Sequence, residues 1–198
     1  MPVTLPRNDR GERSPQMCPS SSTSRLSRLT VMVLLASFVA GIIEGSVSYA
    51  RRSSVVEQHV AGTNAIAVHV GIAVAATVAM IAIRLLRSRR PIGLDPSLWI
   101  APFSTRAVRR LRRTFTLVNG SSLKNLARIL TAALLLLVLL YAPYRMGEQI
   151  VGGLNPNSTV NAWGGPTYLG ALLAHWLDSI VGFYCAAFLL SRVATVDG

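Results

Sequence analysis

The chain has 198 residues, of which 51% are hydrophobic and only 14% charged, and its mean hydropathy is +0.45. A soluble domain is typically about 25% charged, so this composition speaks against a soluble protein wherever the apolar residues cluster, as they do here. The formal net charge of +12 raises nucleic acid as a partner, but cytoplasmic loops of membrane proteins also collect Lys and Arg, and the position of the charges decides between the two.

Residues 1–24, MPVTLPRNDRGERSPQMCPSSSTS, are rich in Pro, Ser and Arg and contain no apolar run. They predict a disordered cytoplasmic tail, and Met17 or Met32 are alternative starts. A single transmembrane domain follows over 25–192, then a short tail at 193–198. Its four apolar stretches, at 29–49, 65–86, 126–144 and 167–190, each approach the ~20 residues that span a bilayer core. The expected fold is an all-α integral membrane four-helix bundle.

The first stretch ends in SVSYA, a loose match to a signal-peptide cleavage site. Its apolar run is long for a signal peptide and contains Glu44, so it is expected to stay as a span. Ser37, Gly41, Gly45 and Ser48 give it a small-residue face, and GIIEG is a GxxxG match. In the second stretch Ala65, His69, Ala73 and Ala76 line up in the same way.

The connection between the second and third stretches carries nine basic residues from Arg87 to Lys124, whereas the other two connections hold only Arg51, Arg52 and Arg145. This positive-inside bias puts both termini and the central loop in the cytoplasm, most simply that of a cell with a bacterial-type plasma membrane. It accounts for most of the net charge without nucleic acid. Within the loop Ala107, Val108, Leu111, Phe115 and Val118 fall at helical spacing, with Arg109, Arg110, Arg112 and Arg113 covering much of the remaining surface. Ser104 and Asn119-Gly120 supply the start and stop signals. The expected element is a basic amphipathic helix on the inner leaflet, its arginines on anionic headgroups, with Trp99 and Phe103 as interfacial anchors.

The third stretch, centred on LLLLVLL, has little small or polar surface and reads as the helix most exposed to lipid. The outer connection after it, RMGEQIVGGLNPNSTVNAWGGP, carries several turn signals. It reads either as a cap over the bundle or as a passive link. Asn157 opens a formal glycosylation sequon. Pro166 suits the first turn of the fourth helix.

That fourth stretch, YLGALLAHWLDSIVGFYCAAFLL, holds His175 and Asp178. At ~1.5 Å per residue, Glu44 lies roughly 8 Å inside its helix, His69 roughly 6 Å, His175 about 13 Å and Asp178 about 18 Å. A charged group at a helix centre is unfavourable by roughly 2.5–3.5 kcal/mol on insertion scales. The four groups therefore predict a polar pocket in the outer half of the bundle. Gly170, Ala174, Asp178, Gly182 and Ala186 form a ladder of mostly small residues that is expected to face inward.

Three functions follow as expectations. The first is an accessory, assembly or scaffold subunit, joined to a membrane-protein partner or to copies of itself. The second is a small-molecule or proton binding or permeation protein using Glu44, His69, His175 and Asp178. The third is a redox protein in which His69 and His175 ligate a b-type haem, although their depths differ by about 7 Å. No resident cofactor or metal is expected. There is no HExxH, P-loop, GxSxG or GxGxxG, so the chain reads more as a non-enzyme. Cys18 and Cys185 are too few for a disulfide framework.

Overall fold

The computed structural model describes residues 28–88, 102–103, 105–116 and 123–194. Among these residues there are six helices and no strand: α1 (Arg28–Ala50), α2 (Ile66–Ser88), α3 (Thr105–Thr116), α4 (Leu123–Gly152), α5 (Pro156–Thr159) and α6 (Tyr168–Val193). Four of them, α1, α2, α4 and α6, are long and apolar enough to cross a membrane. The N-terminal tail, Trp99, Ser104 and the Asn119-Gly120 stop lie outside the described residues.

The spanning helices pack as an open row. α1 lies chiefly against α4, α4 also against α6, and α2 chiefly against α6. The helix expected to be most exposed to lipid, α4, is therefore one of the two inner members of the row. Ala132 and Leu139 of α4 are completely covered, and Leu135 and Ala142 are buried. Their environment is invisible in the sequence because lipid tails are as apolar as leucine, so a uniformly apolar helix carries no mark of its packing side.

The α1–α4 crossing is made by glycine. A Cβ on Gly41 would collide with the Tyr144 carbonyl, one on Gly45 with the Glu148 carbonyl, and one on Gly147 with the Phe38 carbonyl. Removing the side chains on both helices lets the backbones touch, as small-residue motifs do in membranes. Ser37 donates across the same seam to the Leu140 carbonyl at 2.6 Å. Pro143 lies one turn further along α4. A proline there has no N–H for the Leu139 carbonyl, so the helix loses one hydrogen bond at this turn.

α4 also runs eight residues beyond its expected end at Tyr144. The segment RMGEQIVG continues the helix rather than opening the loop. Arg145 and Glu148, one turn apart, meet at 2.6 Å, so their charges partly neutralise each other. The stop comes at Gly152-Gly153, where the glycine signal stands. The cap of α6 is Thr167, whose hydroxyl accepts from the Gly170 N–H at 3.1 Å. Pro166 precedes that cap instead of occupying the first turn.

Part of the apolar side of the basic helix α3 rests on protein, while Val108 is 40% exposed. Phe103 and Leu111 join Ala132, Leu135 and Leu139 of α4 and Ala186, Ala187 and Leu190 of α6 in one core cluster.

At the opposite end the 51–65 and 153–167 connections are tied together. Asn157 accepts from the Glu57 N–H at 2.9 Å and donates to the Val55 carbonyl at 2.8 Å. Asn161 repeats the arrangement, accepting from the Val60 N–H at 2.8 Å and donating to the Gln58 carbonyl at 3.4 Å. Each asparagine amide stands in for a peptide group and clamps three residues of the 55–60 segment. The 153–167 connection is thus a folded cap, and the Asn157 amide is engaged on both its oxygen and its nitrogen.

Candidate polar site

The site starts at the turn Trp163-Gly164-Gly165. Gly165 has φ +93° and its N–H donates to the Ala162 carbonyl at 2.9 Å. A side chain at that φ would be strained. Gly164 and Gly170 touch backbone to backbone, with no room for a Cβ on either. The turn therefore runs down beside the first residues of α6. There the Trp163 carbonyl accepts from the Ala65 N–H at 2.6 Å, and Asn64 accepts from the Ile66 N–H at 3.1 Å. Together they cap the start of α2.

This arrangement resolves the apparent mismatch in depth between His69 and Asp178. Ala65 sits near the level of Gly170, so His69 comes near the level of Ala174. The Asp178 side chain leans back toward the helix N-terminus, as helical side chains do. His69 Nδ1 and Asp178 Oδ1 stand 2.7 Å apart. An ionised Asp178 can only accept, which puts a proton on Nδ1; in the neutral imidazole Nε2 is then a bare acceptor. His69 is 6% exposed, and its Nε2 is buried without a hydrogen-bond partner. The Trp163 ring covers it, with centroids 5.7 Å apart and planes inclined at 42°.

His175 faces another element. Its Nε2 is 3.5 Å from Nη2 of Arg145, the same guanidinium that holds Glu148. Turning the Gln149 amide end for end brings its oxygen to 3.1 Å from both Nη1 and Nη2 of Arg145. Trp176 Nε1 donates to the Met146 carbonyl at 3.1 Å, and the Tyr168 hydroxyl to the Ile150 carbonyl at 3.0 Å. These bonds brace the C-terminal end of α4, beyond Pro143, against the first half of α6.

Of the four residues singled out by sequence, the structure joins only His69 and Asp178 directly. His175 is one turn away from Asp178 but turned to Arg145. Glu44 is exposed on the flank of α1 and makes no hydrogen bond or ion pair with the described residues. Asp178 is not enclosed either: its side chain is 46% exposed. The covered line of α6 is Ala171, Ala174, Ser179, Ala186, Ala187 and Leu190, so the expected ladder is buried at Ala174 and Ala186 but not at Asp178. On α2, His69 and Ala73 are buried as expected.

The residues that sequence reasoning missed are Arg145, Glu148 and Gln149, because charges after an apolar run were read as loop. The signal was present: Arg and Glu at i,i+3, with only Gly147 as a weak helix former before Gly152. A separate cavity of about 220 Å³ opens beside Pro143, lined by Leu34, Met146, Ser179, Ile180 and Phe183 among others. It is apolar and holds none of the ionisable groups. No group of three or more His, Cys, Asp or Glu residues suited to a metal ion occurs among the described residues. No family model, curated protein or solved structure matches the chain.

Proposed function

We propose that this membrane protein is an accessory, assembly or scaffold subunit of a larger membrane complex, with both termini and α3 on the cytoplasmic side of a bacterial-type plasma membrane. One observation carries the reading. Asp178 lies well inside an apolar span, yet its side chain is 46% exposed and its one hydrogen bond goes to His69. A carboxylate left facing lipid at that depth is unfavourable by roughly 2.5–3.5 kcal/mol on insertion scales. A second protein, or a second copy of this chain, covering that flank removes the penalty. The open row agrees, since α1 and α2 each have one principal neighbour.

Cys185 gives a native handle for the test. It is exposed and two helical turns from Asp178, on the same side of α6. A thiol-attached photo-crosslinker at Cys185, in native membranes and with Cys18 replaced by Ser, should yield one discrete protein adduct, sized by mass spectrometry. Asp178→Leu should abolish it and Asp178→Asn preserve it. Adducts with lipid alone would refute the subunit reading.

The buried bare nitrogen of His69 favours a second reading, a site for a proton or a small hydrogen-bond donor reached from the outer side. An unsatisfied buried acceptor costs about 1–3 kcal/mol, which a bound donor offsets. On that reading Asp178→Asn keeps the fold and loses the function.

A further inference from the structure

Three helices share the cavity beside Pro143. α1 contributes Leu34, α4 contributes Ala142 and Met146, and α6 contributes Ser179, Ile180 and Phe183. The space arises where α4 and α6 both carry small side chains, at Ala142 and Ser179. Its volume is about 220 Å³.

The cavity lies deep in the span. At ~1.5 Å per residue, Ser179 is about 17 Å from the Tyr168 end of α6 and about 21 Å from the Val193 end. A molecule entering at that depth comes through the hydrocarbon, not through water. An apolar cavity stays dry and accepts an apolar guest, and one of about 150 Å³ holds benzene. Left empty, its walls lack partner atoms on one side.

One wall residue is polar and unengaged. Hydroxyls elsewhere on the spans donate to the carbonyl one turn back: Ser46 to Ile42, Thr77 to Ala73 and Thr131 to Ala127, each at 2.8 Å. Ser179 does not. It is 8% exposed, and its hydroxyl makes no hydrogen bond with the described residues. A buried hydroxyl without a partner is unfavourable, and the bilayer core supplies no water to satisfy it.

These features restrict the guest. Among the described residues no Asp, Glu, His, Lys or Arg lines the cavity, so nothing there balances a charge. A guest hydroxyl would bring a second donor in need of its own acceptor. A carbonyl only accepts, so a single bond from Ser179 satisfies both groups. We propose that this cavity binds an uncharged, lipid-soluble carbonyl compound, with its hydrocarbon part against Leu34, Met146 and Phe183 and its oxygen accepting from the Ser179 hydroxyl. The site is distinct from His69 and Asp178, and its test does not depend on the subunit reading.

The full chain in lipid nanodiscs is irradiated with benzophenone, a ketone that on excitation attacks neighbouring C–H bonds, and the adducts are located by mass spectrometry. The expected result is a saturable adduct at Met146 or Ile180. Two competitors of similar shape, cyclohexyl methyl ketone and isopropylcyclohexane, are compared at equal mole fraction in the lipid. The ketone should compete roughly fivefold more strongly, the worth of one hydrogen bond. Ser179→Ala, which removes the hydroxyl and little else, should erase that difference and leave competition by the hydrocarbon unchanged. Adducts that do not saturate and spread over exposed positions such as Leu130 and Leu134 overturn the proposal. So does equal competition by ketone and hydrocarbon in the native chain, or a ketone preference that survives in Ser179→Ala.

Discussion

Adding one methyl group to Gly41 tests the glycine seam between α1 and α4. In Gly41→Ala the new Cβ falls on the Tyr144 carbonyl and close to the Glu148 nitrogen, both of them backbone and unable to swing aside. The helices must part by a distance on the order of 1 Å, which forfeits a quarter to a half of each dispersion contact along the seam. Overpacking of this kind costs about 1–3 kcal/mol. The Ser37 bond to Leu140, now 2.6 Å, is lost as well, at about 0.6 kcal/mol for an interhelical bond in a membrane. Alanine returns up to about 1 kcal/mol of helix propensity. The net expectation is a destabilisation of about 1–3 kcal/mol. Gly71→Ala is the matched control, because a Cβ there meets nothing within 4 Å. It should be neutral or stabilising by up to about 1 kcal/mol. Reversible unfolding in mixed micelles, followed by circular dichroism, measures both. Ser37→Ala should add no further loss in the Gly41→Ala background. Equal stability of the two alanine variants would refute the close-contact account.

The asparagine clamps predict that Asn157→Ala with Asn161→Ala raises amide exchange at Glu57 and Val60 at least tenfold, with the rates within α4 and α6 unchanged; hydrogen-exchange mass spectrometry reads both. An optical spectrum, oxidised and then reduced, addresses the haem expectation. His69 and His175 are turned to different partners, Asp178 and Arg145, so the purified chain should show no Soret band, and a band that shifts on reduction and vanishes in His69→Ala would reverse that reading.

The four spans were legible because about 20 apolar residues in a row have few other uses. The GIIEG motif was legible too, since only glycine allows two backbones to touch. Its partner was not. α4 offers a plain leucine surface until Gly147, and leucine looks the same toward lipid as toward protein. The polar residues of α6 were visible as anomalies, but their partners depended on vertical register. That register is set by the Trp163-Gly164-Gly165 turn dropping beside Gly170, a tertiary contact that helix lengths alone do not encode. Turn signals mark RMGEQIVGGLNPNSTVNAWGGP as a connection, but Arg145 and Glu148 pair at i,i+3, and such a pair supports a helix. On α3 the helical spacing includes both Leu111, which is buried, and Val108, which is exposed, and periodicity does not distinguish a protein surface from a lipid one.

The open row has a consequence for how the chain is made. The principal neighbour of α1 is α4 and that of α2 is α6, so neither of the first two helices has its main partner beside it in the chain. Ser37 and Leu140, which bond across the first seam, are 103 residues apart, and the clamps on the 55–60 segment span similar separations. At a synthesis rate of roughly 5–20 residues per second, the ribosome works for several seconds to about 20 seconds after α1 emerges before its glycine face can be covered. Through that interval α1 and α2 lack their principal neighbours, and His69 lacks Asp178 and Trp163. The seam of α1 and the cover over His69 are therefore completed only by the second half of the chain.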